Sequence, residues 1–76
     1  MLVLEMRGPR RTTESHHGTE VDALNAACDL QRPLLVAGWL EVEYTHEGET
    51  YHWQYDHPLK PGVVEITITP SHSRQS

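Results

Sequence analysis

The stretch from Leu34 to Asp56 constrains the fold more than any other part of this 76-residue chain. Apolar and polar residues alternate on both sides of the turn His46-Glu47-Gly48-Glu49, and a period of two is the pattern of a half-buried strand. The stretch therefore predicts a β-hairpin. Both apolar sets face the same side only when the sum of paired residue numbers is odd, because a slip of one residue turns every side chain over. The expected connection is Glu47-Gly48 or all four turn residues, and the expected pairs are Tyr44 with Tyr51, Val42 with Trp53 and Leu40 with Tyr55.

Two further segments alternate in the same way. Leu2 to Arg7 does so before Gly8-Pro9 breaks the pattern, and Val63 to Thr69 does so before Pro70. Both are predicted strands. The segment Arg10 to His17 is polar throughout, and its composition leaves open whether it is a loop or a weak second strand.

One helix is predicted to begin after Gly18. Thr19 is suited to cap it, and Asp22 takes the third helical position of a capping box. Pro33 disfavours helical angles at the residue before it, so the helix is expected to end near Leu30 or Gln31. Its apolar face is predicted to comprise Val21, Leu24, Ala27, Cys28 and Leu30.

The element order predicts an α+β domain over residues 1–70, followed by a disordered tail at 71–76. One helix packs on one face of a four- or five-stranded mixed or antiparallel sheet, since that arrangement buries the helix. If the first two segments form a hairpin, the order resembles the ubiquitin-like β-grasp, with Leu34 to Gly38 and Val63 to Thr69 near its third and last strands. The chain ends Ser-Arg-Gln-Ser instead of Gly-Gly, so the resemblance does not imply conjugation or sulfur transfer.

Composition narrows the class of protein further. Hydrophobic residues make up 37% of the chain and the net charge is −5, which predicts a folded domain with a thin core. A single cysteine allows no internal disulfide and favours a reducing, cytoplasmic location. The sequence has neither an apolar run of about 20 residues nor a secretory signal pattern, so no membrane partner is expected.

The residues that could carry chemistry do not form a recognisable site. In the expected register Glu43 pairs with His52, which brings together at most two good metal ligands, whereas a structural zinc site takes four. Cys28 falls on the apolar helix face and is expected in the core. No catalytic role, metal or cofactor is therefore predicted, although six histidines keep a metal-binding or pH-responsive module as the alternative function.

The charge pattern favours a protein partner over nucleic acid. Arg7, Arg10 and Arg11 form the one basic cluster, which is too small for a phosphate-binding face. Four glutamates within nine residues make the hairpin acidic and suited to a basic protein surface. They are Glu41, Glu43, Glu47 and Glu49.

An apolar surface is expected on the side of the sheet away from the helix. If Leu34 to Thr45 is one continuous strand, Leu35 and Trp39 lie on that outer side, and exposed tryptophan is enriched in interfaces. A bulge at Gly38 would instead bury Trp39. The sequence therefore predicts a small non-enzymatic interaction module, of the adaptor, inhibitor or antitoxin type. It would bind a protein partner or a second copy, with a homodimer favoured, through Leu35, Trp39 and the four hairpin glutamates.

Overall fold

The computed structural model describes residues 1–71 and contains one helix on a five-stranded sheet, which confirms the predicted α+β architecture. The sheet order is β2-β1-β5-β4-β3, and every neighbouring pair is antiparallel. The polar second segment is thus a strand, paired with the first. The elements are β1 (Leu2–Arg7), β2 (Thr12–His17), α1 (Glu20–Val36), β3 (Leu40–Glu47), β4 (Thr50–Asp56) and β5 (Val64–Pro70).

The likeness to the β-grasp is limited to element order. The first and last strands are neighbours but run antiparallel, whereas the ubiquitin-like fold pairs them in parallel. Ser71 donates its N–H to the carbonyl of Met1 at 2.9 Å. The rest of the predicted tail, 72–76, lies outside the described residues.

The core lies between α1 and the sheet, and alternation along the strands fills it as predicted. Leu2 and Leu4 of β1 are buried, and the cross-strand register places the alternating side chains of β5 and β4 on the same face. From the helix only Ala23 and Ala27 are fully buried, and their small side chains let the helix approach the sheet closely. The other buried residues are Trp39, Tyr51, Tyr55, Val64, Ile66 and Ile68.

The helix continues through Pro33 to Val36, so its predicted end was wrong. Proline lacks an N–H donor, but its carbonyl still accepts a hydrogen bond from Ala37 N–H at 3.0 Å. The predicted strand Leu34 to Gly38 is therefore the last helical turn and its cap. Helix packing on the sheet outweighs the local cost of one proline.

Gly38 ends the helix, with φ at +97°. Its N–H donates to the carbonyl of Leu35 at 3.1 Å, and the N–H of Trp39 donates to the carbonyl of Leu34 at 2.9 Å. This pair of bonds is the Schellman motif, in which a left-handed glycine satisfies the last carbonyls. The pair turns Trp39 back toward the core.

The buried helical face is rotated from the predicted one. Val21 is 66% exposed and Cys28 is also exposed, so the expectation of a core cysteine was wrong. The core positions are Ala23 and Ala27, with Leu24, Ala26, Leu30 and Leu34 partly buried against them. Thr19 caps the helix as predicted, since its Oγ1 accepts the N–H of Asp22 at 3.2 Å.

The hairpin has the predicted parity but a different register. Gly48 and Glu49 connect the strands, and Gly48 has φ at +60°, as two-residue hairpin turns favour. The connection is even in length, as expected, but the pairs are shifted by two residues from the predicted ones, to Tyr44↔Trp53 and His46↔Tyr51. A bulge at Val42 then shifts the register again, so Val42 does not pair with Trp53 and is 53% exposed.

Candidate protein-interaction surface

Strand β3 is exposed along its whole length, although it carries large apolar side chains. Leu40, Val42 and Tyr44 are 57%, 53% and 47% exposed. The strand lies at the edge of the sheet, and in the described part of the chain it pairs with β4 alone. The helix α1 lies nearest β1 and β2, at the other side of the sheet. An edge strand with uncovered apolar side chains is a surface that proteins normally cover or use for binding.

Four rings form a continuous row on the helix side of the hairpin, which we call the aromatic row: Tyr44, His46, Tyr51 and Trp53. The ring centroids of Tyr44 and Trp53 are 5.4 Å apart, and Tyr51 and Trp53 stack at 5.8 Å with 8° between their planes. His46 stacks on Tyr51 at 4.0 Å. The row follows from the register, because directly paired residues of antiparallel strands share a face. It extends the core outward to the exposed Tyr44.

Tyr51, an inner member of the row, connects it to the helix. Its hydroxyl donates to Glu20 Oε2 at 2.7 Å, and Glu20 lies in the first helical turn, where the helix dipole favours a carboxylate. This hydrogen bond, together with burial and the negative charge of Glu20, raises the pKa of Tyr51 to about 12. The phenol therefore stays neutral, and its hydrogen bond joins the row to the helix.

Tyr55, four residues further along the same face, is buried without a partner. It is 1% exposed, and its hydroxyl makes no hydrogen bond among residues 1–71. Burial raises its pKa; the nearby Gln31 favours the phenolate but lies outside hydrogen-bond geometry. Tyr55 is thus a core residue and does not join the exposed surface.

The four predicted glutamates are exposed and surround β3 and the turn. Glu41 pairs with Tyr55 and therefore faces the helix side, whereas Glu43 pairs with Gln54 on the opposite side. Glu47 ends β3 and Glu49 lies in the turn. None of these carboxylates forms an ion pair in the part of the chain that the structure describes.

The expectation that Trp39 lies on an exposed outer face was wrong. It is 8% exposed and contacts His57 edge to face, with ring centroids 5.2 Å apart. Leu35 is 55% exposed as expected, but on the last turn of α1. Recognising Ala37-Gly38-Trp39 as a Schellman cap would have placed Leu35 in the last helical turn and Trp39 directly after the helix.

The aromatic part of the uncovered surface lies on the helix side of the hairpin, whereas the sequence placed the apolar surface on the outer side of the sheet. Leu40, which pairs with Asp56, faces the outer side. The outer face is mainly polar, and on it His52 Nε2 lies 4.0 Å from Glu65 Oε2. Sequence reasoning assigned the alternating aromatics of β4 to the core. It did not consider that one helix would leave part of that face uncovered.

The histidines do not form the predicted ligand pair. His52 lies opposite Thr45, and not opposite Glu43. Within residues 1–71, no group of three or more His, Cys, Asp and Glu side chains is placed to hold a metal ion. His57 instead accepts the N–H of Leu59 on Nδ1 at 3.0 Å, which leaves Nε2 to donate to the carbonyl of Ala37 at 3.0 Å.

Fold and surface together define a small α+β domain with one open, aromatic sheet edge. No protein-family model matches the chain, and no solved structure matches it. Among curated proteins, it is similar to Protein ALWAYS EARLY 2 of Arabidopsis thaliana, with 29% identity over 70 residues. The match covers 92% of this chain but 7% of the plant protein. In the described part, no helix has the length and apolar character needed to cross a membrane.

Proposed function

We propose that this chain is a non-enzymatic protein-interaction module that acts in the cytoplasm and binds its partner through the hairpin. The observation that carries the proposal is the exposure of all of β3, including Leu40, Val42 and Tyr44. Within residues 1–71 the outer edge of β3 has no neighbouring strand, so its backbone groups are available to an added strand. The aromatic row beside it offers rigid, amphipathic contact area of the kind enriched in interfaces.

The glutamates indicate the chemistry of the partner. Carboxylates on both faces of the hairpin and in its turn favour a surface that presents Lys or Arg around an apolar segment. Two copies of the same hairpin would bring like charges together. We therefore favour a basic protein partner over the homodimer expected from sequence, although a dimer through β3 is a distinct outcome of the test below.

Capture from an extract of the native host, quantified by mass spectrometry, tests the proposal. The baits are the wild type, the variant Val42→Ser/Tyr44→Ser, and the control Thr12→Ser/Thr13→Ser on the exposed strand β2 at the opposite edge. We expect the wild type and control to retain a protein that the hairpin variant loses. Direct titration of that purified protein should show affinity falling at least about tenfold, because truncated interface anchors commonly cost more than 1 kcal/mol each.

Two results would contradict the proposal. One is a captured protein that binds the hairpin variant and the wild type equally well. The other is a wild type that captures nothing and is monomeric in sedimentation at high concentration. A dimer that dissociates in the hairpin variant alone would keep the surface but replace the basic partner with a second copy.

A further inference from the structure

An apolar cleft of about 590 Å³ lies at the end of the sheet away from the hairpin turn. The β1–β2 turn, the last helical turn and the β4–β5 connector meet there. Its apolar walls come from Met6, Leu34, Trp39 and Val64, of which Trp39 and Val64 are 8% and 4% exposed. Cavities that bind small molecules have volumes of about 300–1,000 Å³ and apolar linings with few polar groups. The size and lining of this cleft fall in that class.

Three cations line the cleft: Arg10, Arg11 and Lys60. The chain carries a net charge of −5 and six Lys and Arg residues, of which all but Arg74 lie in the described part. Three of those five basic residues thus line one cleft of an acidic protein. The other two pair with neighbouring carboxylates: Arg7 with Glu5 at 3.4 Å, and Arg32 with Asp29 at 3.7 Å.

The three cleft cations have no such partners in residues 1–71. The helix end beside the cleft does not require them either. Its carbonyls at Pro33, Leu34 and Leu35 already accept backbone N–H groups at 3.0, 2.9 and 3.1 Å. The cations are therefore available to an anion from outside the chain.

Local backbone structure holds the cleft open before any ligand arrives. The turn that carries both arginines is closed by the N–H of Gly8 donating to the carbonyl of Arg11 at 2.9 Å, and Pro9 stiffens it. The connector packs against that turn at Gly62, where φ is +93° and an added Cβ would lie 2.7 Å from Pro9 Cγ. A preformed site loses little conformational entropy on binding.

We propose that this cleft binds a small aromatic carboxylate. The aromatic body would pack on Trp39 and Leu34, and the carboxylate would bind the guanidinium of Arg10 or Arg11, whose planar donors suit a carboxylate. Lys60 adds a third positive charge. This site is separate from the hairpin surface, and it does not depend on the proposed protein-binding function.

The test is titration of the purified chain with 2-naphthoate, followed by two-dimensional NMR of the backbone and indole N–H groups. The uncharged probe is 2-naphthalenemethanol, which keeps the ring and loses the charge. The variants are Arg10→Gln/Arg11→Gln and the matched control Arg7→Gln/Arg32→Gln, which removes the same charge elsewhere. All four arginines are exposed, so both variants should fold.

We expect 2-naphthoate to shift the Trp39 indole signal and the Leu34 and Val64 amides. Affinity should fall at least about tenfold for the alcohol and for the Arg10/Arg11 variant, but not for the control, because charge-assisted hydrogen bonds supply that much. Equal affinity for acid and alcohol, equal loss in both variants, shifts confined to other residues, or no shifts at millimolar probe would each overturn the proposal.

Discussion

Tyr51 and Tyr55 allow one substitution to be tested in two opposite environments on the same strand face. Replacing either by phenylalanine removes a hydroxyl and leaves the ring in place. The Tyr51 hydroxyl donates to Glu20 at 2.7 Å, whereas the Tyr55 hydroxyl is buried without a hydrogen-bond partner in the described part. We therefore expect the two variants to shift thermal stability in opposite directions.

The magnitude for Tyr55 follows from the cost of an unsatisfied buried group. Such a group costs about 1–3 kcal/mol, because its hydration is lost and nothing replaces it. Tyr55→Phe should therefore raise the free energy of unfolding by about 1 kcal/mol, at the low end of that range. For a domain of this size the midpoint temperature should rise by about 4–8 °C.

Tyr51→Phe should lower the midpoint temperature, because the variant lacks the hydroxyl that donates a hydrogen bond to the Glu20 carboxylate. The assay is thermal unfolding followed by circular dichroism at pH 7 for both variants. Tyr44→Phe is the control: its side chain is 47% exposed, and the change should stay within about 0.5 kcal/mol.

A fall in stability for Tyr55→Phe comparable with that for Tyr51→Phe would refute this reasoning. It would mean that the Tyr55 hydroxyl has a hydrogen-bond partner in solution. Gln31 is the nearby candidate, so a Gln31→Leu variant would then lose the same stability. No change in either variant would refute the claim that hydroxyl environment decides the effect.

Three further outcomes are expected from the same structure. The first two are measured by unfolding in denaturant, and the third by the same unfolding at a series of pH values. Trp39→Ala should lower the free energy of unfolding by about 3–5 kcal/mol, because it truncates a buried aromatic side chain. Leu35→Ala, at an exposed position, should change that free energy by under about 0.5 kcal/mol; the reverse order would show that Trp39 is not a core residue. Gly38→Ala should lower the free energy of unfolding by more than Gly48→Ala. Both glycines have positive φ, but an added Cβ meets an imidazole nitrogen at 2.9 Å only at Gly38, so equal costs would show that backbone strain alone acts. Stability should fall as pH rises from about 10 toward about 12, because the pKa of Tyr51 is raised to about 12 in the fold and unfolded tyrosine ionises near 10; an unchanged pH profile in Tyr51→Phe would contradict this.

Alternation of apolar and polar residues gave the predictions that the structure confirms, because it shows which side chains of a strand share a face. It located β1, β5 and the hairpin, and it predicted the even-length turn. It did not determine the register within that parity. The choice between Tyr44↔Tyr51 and Tyr44↔Trp53 depends on where the turn places Gly48. The pairs of Leu40 and Glu41 depend in addition on a bulge at Val42 that no local pattern indicates.

The predicted helix end was wrong because Pro33 was given more weight as a stop signal than Gly38. Pro33 loses one hydrogen bond, but tertiary packing of Leu34 on the core retains the turn that contains it. Gly38 was the true stop signal. Because the helix includes this turn, Leu34 to Thr45 is not one continuous strand, and the reason to place Trp39 on an exposed face no longer holds.

The position of the proposed surface follows from the width of the sheet. Neighbouring strands are about 4.8 Å apart, so β2 and β3 are separated by about 19 Å, while a helix with its side chains is about 10 Å wide. One helix therefore leaves part of this face uncovered. At the β2 edge that part carries Thr13, Ser15 and His17, which water can solvate.

At the β3 edge the same face carries Tyr44 and His46, continuous with Trp53 and Tyr51 in the aromatic row. A need to stay solvated applies equally to both edges, so it does not explain why only one of them is aromatic. The proposed partner, by covering β3, would explain the difference. Replacing Tyr44 by Ser should accordingly cost little in the isolated chain, because its side chain is 47% exposed, and should show its main effect in the complex.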